Sequence, residues 1–440
     1  MKTHLFPFVL GLFSIAAAAA DGAGLTFDQA LAEAKARRGP LFIDFHAPWC
    51  HSCFFMEKHV LNGPEWEAVR RKALTIEVDS DSPEGSAIAK RFGIKGWPTY
   101  VVLDENGQEL GRILGDRTRE AFYRELGPML EDGAVLDQWK RRVVDATPAS
   151  IAAARTVLDT YYERMDPAGG SAWLAQLPDA TRKAVLADAQ ARDHADRLAL
   201  LAAADRKDPK ACAAAAPPVL GTTLDCGNLL EMSEFLGCLE PLPAAERARQ
   251  LAPFKPRVAA LQQQLLVERK GICSDTRGVV ETAAQFHEAL GDAAGVEKAW
   301  RNGIAFSEAG LDGDLKRDHH LADNLRYYLD RVGDQARLDA LFPKLIAAYP
   351  DTYDYYLRYG KNLAKRGEYA KALPYLEQAA PKSYGRNRLW VAQWRAWSLL
   401  KLKRDAEAKQ VASEALQANG PWFESEIATL RATFQGKAPG

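Results

Sequence analysis

The sequence predicts an α/β domain at its N-terminal end followed by an all-α helical-repeat region. Three observations carry this. Between residues 25 and 131, short apolar runs of strand length alternate with helical patterns. From about Asp132 onward the strand signals stop and alanine- and leucine-rich helical stretches take over. In the C-terminal third, small residues recur at spacings near those of stacked helical hairpins, about 34 residues. The 440 residues are 47% hydrophobic and 26% charged, which fits a folded chain of roughly two or three domains. With 57 Lys plus Arg against 58 Asp plus Glu the net charge is -1, so the basic excess of a nucleic-acid binder is absent.

Residues 1–20 read as a signal peptide. Lys2 and His4 form the n-region, Leu5 to Ile15 is almost wholly apolar, and Ala18-Ala19-Ala20 before Asp21 fits a cleavage site. The apolar run is shorter than the roughly 20 residues of a spanning helix. Export to a compartment where disulfides form is the expectation, with no stable membrane span after cleavage.

Leu25 to Arg38 predicts a helix, with Thr26 as N-cap and Gly39-Pro40 as its stop. Leu41 to Phe45 is apolar except for Asp44 and reads as a buried parallel strand. Pro48 to Cys53 turns the chain, and Phe54 to Leu61 resumes helical spacing. Leu74 to Val78 is a second strand, and Glu84 to Phe92 is a helix closed by Gly93. Tyr100 to Leu103 and Glu109 to Leu114 are two strands joined through Asn106-Gly107, a hairpin signal. Thr118 to Leu130 is the last helix of this domain, which is assigned residues 21–131. Residues 132–279 are read as a helical domain. Within it, Asp205 to Pro243 holds Pro209, Pro217, Pro218, Gly221 and three cysteines, and is expected to be loop-rich. Residues 280–440 are read as helical repeats.

The chemistry is concentrated in Trp49-Cys50-His51-Ser52-Cys53. A CxxC pair can be a redox dithiol, half of a zinc site or a haem attachment point. Haem attachment needs a histidine directly after the second cysteine, and Phe54 stands there. Zinc needs two further ligands, for which His46 and His59 are the nearby candidates, but no second CxxC exists. The redox reading gains from context. The pair follows a buried strand and opens a helix, which puts Cys50 where backbone amides favour a thiolate. Cys53 lies one turn further in, shielded and close enough to bridge. His51, between the two, would add partial positive charge and make the pair more oxidising than thioredoxin at about -270 mV.

The run Phe42-Ile43-Asp44-Phe45-His46-Ala47-Pro48-Trp49-Cys50-His51-Ser52-Cys53, followed by Gly93-Ile94-Lys95-Gly96-Trp97-Pro98-Thr99, resembles the thioredoxin superfamily. It is most similar to the C-terminal thioredoxin-like domain of the transmembrane disulfide reductase of Gram-negative bacteria. The resemblance implies Cys50 as attacking and Cys53 as resolving cysteine. It implies Asp44 as a buried proton relay, Pro98 as a cis proline beside the dithiol, and Trp49 as the aromatic that covers it. It also implies a periplasmic location, no bound cofactor, and partners that are protein thiols or disulfides plus an electron-donor or acceptor redox protein. Two features depart from the family. His46 stands where many members have an aromatic residue, and Glu77 lies in the strand where a lysine often accompanies the buried acid.

In the C-terminal third, Gly360, Leu363, Gly367, Tyr369, Ala372, Leu376 and Ala379 form one unit, which resembles a tetratricopeptide (TPR) repeat. The unit 36 residues on lacks both glycines. Cys212, Cys226, Cys238 and Cys273 are expected to form two structural disulfides, with neighbouring closure pairing Cys212 with Cys226 and Cys238 with Cys273. Trp390, Trp394 and Trp397 share one helix face, expected to be interhelix core or else a groove for a peptide or partner helix. His319-His320 is expected at the surface. Two functions are open at this point. One is an exported thiol–disulfide oxidoreductase whose helical repeats recruit the partner. The alternative is a non-enzymatic TPR-like assembly or chaperone-like protein with a structural CxxC disulfide.

Overall fold

The structure is a computed structural model. It describes residues 22, 24–131, 133–221, 224–271 and 273–439, so the signal-peptide reading lies outside the described residues. The N-terminal domain runs α1 (Phe27–Arg37), β1 (Leu41–His46), α2 (His51–His59), α3 (Gly63–Lys72), β2 (Leu74–Asp79), α4 (Pro83–Arg91), β3 (Thr99–Leu103), β4 (Glu109–Leu114) and α5 (Arg119–Glu131). The four strands lie in the order β2-β1-β3-β4. β1 is parallel to β2 and antiparallel to β3, and β4 returns antiparallel on β3.

Local chemistry explains the boundaries. Thr26 and Gln29 cap α1 reciprocally, with the Thr26 N–H donating to Gln29 Oε1 at 2.9 Å and the Gln29 N–H to Thr26 Oγ1 at 3.3 Å. β1 is central and buried on both faces. Leu41, Ile43 and Phe45 join the core beneath α1 and α4. Phe42 faces the opposite core with Met56 of α2 and Phe122 of α5. Alternation along the strand places Asp44 on the Phe42 face, toward α2. α3 has no counterpart in the sequence reading. Its apolar signal is only Trp66 and Val69, and it is held by Val69 burial and by the Trp66 ring edge on Phe42 at 5.3 Å.

Beyond α5 the described residues are helices and their connections. The stretch from Asp205 to Pro243 is largely helical, which corrects the loop-rich expectation: helices Pro209–Leu220 and Leu229–Leu239 fill it. Pro209 sits in the first turn, where its missing N–H costs little. Ala213 to Ala216 supply the propensity that carries the helix through Pro217 and Pro218. Downstream, antiparallel hairpins follow one another: Arg277–Ala289 with Ala293–Leu311, His319–Val332 with Gln335–Ala348, Asp354–Lys365 with Tyr369–Ala379, and Gly385–Lys401 with Asp405–Asn419. Gly360 permits one close approach, since a Cβ there would lie 2.5 Å from Leu376 Cγ. The largest apolar core is continuous from Leu200 to Trp397.

The disulfides in this region are Cys212–Cys238 and Cys226–Cys273. The neighbouring closure expected from the sequence is therefore replaced by an interleaved pairing. Cys212 and Cys238 are buried on two helices that pack together, while Cys226, in the connection between those helices, reaches the segment before helix Arg277–Ala289. Among the described residues, no helix is long and apolar enough to cross a membrane.

Candidate functional site: a dithiol beneath the helical region

Cys50 is the N-cap of α2, and its Sγ accepts the Cys53 N–H at 3.1 Å. The two cysteines are disulfide-bonded with Cα atoms 5.2 Å apart. This is the helix-terminal placement that lowers a cysteine pKa in the reduced state. The shielding, however, is the reverse of the sequence expectation. Cys50 is 3% exposed, while Cys53 is partly exposed. The helical region packs against α2 and meets the neighbours of Cys50, with Asp275 on His51 and Ser52 and Trp390 near Trp49.

The Trp97–Pro98 peptide bond is cis. Trp49 meets Trp97 edge to face at 5.6 Å and lies 6.5 Å from Trp390 of the helical region. Its indole N–H donates to Asp81 Oδ2 at 3.0 Å. Asp44 is half-buried in β1, opposite Glu77 of β2. Burial, and then the charges of Glu77 and Glu57, push its carboxyl well above the ordinary aspartate range. Its Oδ1 has no hydrogen-bond partner among the described residues. Desolvation of this kind favours the protonated form of a carboxyl.

Contacts across the interface were not legible in the sequence. His51 Nδ1 and Ser52 Oγ both donate to Asp275 Oδ2, the latter at 3.0 Å. His59 pairs with Asp318 at 2.7 Å. The Phe54 ring stacks on His319 at 3.7 Å, and Phe55 meets His320 edge to face. The expectation that His319-His320 is a surface doublet is thus corrected. His319 is half-buried between Phe54 and Tyr349, and burial lowers its imidazole to about 4. His320 is buried; desolvation opposes its charge, but Asp275 at 2.6 Å raises its pKa overall. His46 ends β1, where its carbonyl accepts the Ser80 N–H at 3.0 Å. Asp81, Asp275 and Asp318 have no motif to mark them.

Trp390 and Trp394 belong to the tryptophan stripe, and Trp397 is buried in the helix core. Trp390 and Trp394 also line a groove of about 460 Å³ that begins at Trp49, with Leu357, Arg358 and Lys361 on its other wall. The stripe therefore serves both the interhelix core and a cleft that starts beside the dithiol.

With this geometry in view, the likeness to known proteins is specific and local. Residues 27–129 match the family model of a thioredoxin-like domain. A 103-residue stretch is 33% identical to the thiol:disulfide interchange protein DsbD of Cronobacter sakazakii, covering 22% of this chain and 18% of that protein. The DsbD of Neisseria meningitidis serogroup B is 36% identical over 78 residues, or 17% of this chain and 13% of that one. The chain thus spans under a fifth of the length of these curated relatives. Among solved structures, a thioredoxin from Thermus thermophilus is 31% identical, covering 25% of this chain and 87% of that one, with a TM-score of 0.24. Residues 27–129 are a thioredoxin-like domain homologous to thiol:disulfide interchange proteins, joined to a largely helical region.

Proposed function

We propose that this thioredoxin-like chain is an exported, periplasmic thiol–disulfide oxidoreductase that exchanges disulfides with protein partners through Cys50 and Cys53. The observation that carries the reading is the position of Cys50, capping α2 with its sulfur on the Cys53 N–H and within bridging reach of Cys53. In the reducing direction, the Cys50 thiolate attacks one sulfur of a substrate disulfide. An S–S bond forms to Cys50 and the other substrate sulfur leaves as a thiolate that takes up a proton. Cys53 gives its proton to Asp44 and attacks the Cys50 sulfur, releasing the second substrate thiolate. Two electrons pass from the dithiol to the substrate, and a donor protein dithiol restores the pair.

The helical region is the partner-recruiting element in this proposal, and the hairpins beyond residue 280 are read as TPR-like. The cleft from Trp49 to Trp394 supports that role, because it offers apolar contacts and charged groups of both signs to a chain approaching the dithiol. One observation favours a second reading, a binding protein with a structural Cys50–Cys53 bridge: Cys50 keeps only 3% exposure. Insulin reduction by the full chain separates the two. Turnover that is lost in Cys50→Ser supports exchange, and no turnover in the wild type supports the binding protein.

A further inference from the structure

Both residues between the two cysteines are tied to one carboxylate 224 residues away in sequence. Asp275 Oδ2 accepts from His51 Nδ1 and from Ser52 Oγ. Its Oδ1 accepts from His320 Nε2 at 2.6 Å, from Asn324 Nδ2 at 3.2 Å and from the Arg277 N–H at 2.8 Å. Its own N–H donates to Asp116 Oδ2 at 3.0 Å, in the loop after β4. Two residues earlier, Cys273 is fixed by its bridge to Cys226. Such a carboxylate is held from every side and has little freedom to relax. Burial alone would neutralise it, but His320 and His51 hold it well below the ordinary aspartate range, so it stays charged.

We propose that Asp275 is a positioning residue for the dithiol, supplied by the helical region, which clamps His51 and Ser52 and fixes the orientation and tautomer of the His51 ring next to Cys50 in the chain. The inference rests on the exchange chemistry proposed above. An ionised carboxylate can only accept, so His51 Nδ1 carries the hydrogen. The hydrogen bond that one ring nitrogen makes sets the tautomer and orientation of the imidazole, and an imidazole next to a cysteine tunes its thiolate. This is the orienting role that a third group plays for a catalytic base. The charged groups facing this cluster are His51 from α2, His320, Asp318 and Asp323 from the His319 helix and its cap, Arg277, and Asp116. His59 of α2 meets Asp318.

The test uses the reduced full-length chain. The alkylation rate of Cys50 is read by mass spectrometry across pH, and the Cys50–Cys53 pair is equilibrated with glutathione buffers. Asp275→Asn is expected to slow Cys50 alkylation at pH 7 about tenfold and to move the midpoint up by about one pH unit. The pair should become more reducing, and Asp275→Glu should recover part of the effect. His51→Gln removes the same contact from the α2 side without touching the helical region, so it guards against a misfolded Asp275 variant. Asp275→Asn added to His51→Gln should change little. Superimposable wild-type and Asp275→Asn profiles, or effects of the two substitutions that simply add, would overturn the proposal. A wild-type pair that never equilibrates with glutathione would instead sink the oxidoreductase reading, while the alkylation profiles still report on Asp275.

Discussion

Asp81 offers a pH test of how the helical region grips the dithiol cover. This aspartate follows β2 and is fully buried at the interface. Its Oδ2 accepts from the Trp49 indole at 3.0 Å and from Asn387 Nδ2 at 3.4 Å, and its backbone carbonyl accepts the Arg386 N–H at 2.9 Å. Burial, then the charge of Asp79, push its carboxyl from 3.8 to about 6, against the pull of Asn387, Arg386 and Trp49. The folded state therefore keeps a proton between pH 3.8 and about 6 that the unfolded chain has already lost. Stability contributed by this site falls as pH rises through that window and is level above it. A shift of this size corresponds to about 3 kcal/mol. Asp81→Asn retains an oxygen for the indole and removes the titration. Any change in packing adds only a constant, so the stability of the variant relative to wild type should rise by up to about 3 kcal/mol between pH 4 and pH 7.5. Urea unfolding of the oxidised protein, followed by tryptophan fluorescence at four pH values, measures it. A difference that stays constant to within about 1 kcal/mol across that range would refute the reasoning.

Three further outcomes are expected. Cys53→Ser should accumulate mixed disulfides with partner proteins, and Cys50→Ser should not; equal trapping by both would reverse or dissolve the assignment of attacker and resolver. Replacing Cys226 and Cys273 together by serine should cost about 2–4 kcal/mol in thermal or urea unfolding, and peptide mapping of the wild type should find Cys212–Cys238 and Cys226–Cys273 intact under mild reductant that opens Cys50–Cys53. Gly360→Val should destabilise by about 1–3 kcal/mol, since the new side chain meets Leu376 on the paired helix; an unchanged midpoint would show that the hairpin yields more easily than its packing implies.

What the sequence disclosed and what it hid divide along a physical line. The strand periods of β1 and β2, the Asn106-Gly107 turn and the CxxC at a helix start are local signals, and each element appears where its pattern puts it. α3 escaped because two apolar residues in ten make a weak stripe, and only tertiary burial of Val69 and Trp66 reveals it. Pro217 and Pro218 argued for a loop, yet the alanines before them and the packing of Cys212 against Cys238 outweigh that local cost. The site divides in the same way. Cys50, Cys53, Asp44 and Pro98 lie within two short motifs, so a linear reading reaches them. Asp275 lies in the connection before helix Arg277–Ala289, and Asp318 and His320 lie at the start of helix His319–Val332, polar segments whose character depends on what covers them. On an open surface, His319-His320 would be an unremarked exposed pair. Against α2, His319 is half-buried and stacked on Phe54, while His320 is buried and paired with the acid that holds His51. Burial turns ordinary polar residues into a charged network, because each desolvated group then needs a partner within hydrogen-bond reach. The partner here comes from the helical region, so no window of sequence around the cysteines contains it. The same argument says where the properties of this dithiol are decided: an isolated domain of residues 27–129 carries the motif, but the environment of His51 and Trp49 belongs to the whole chain.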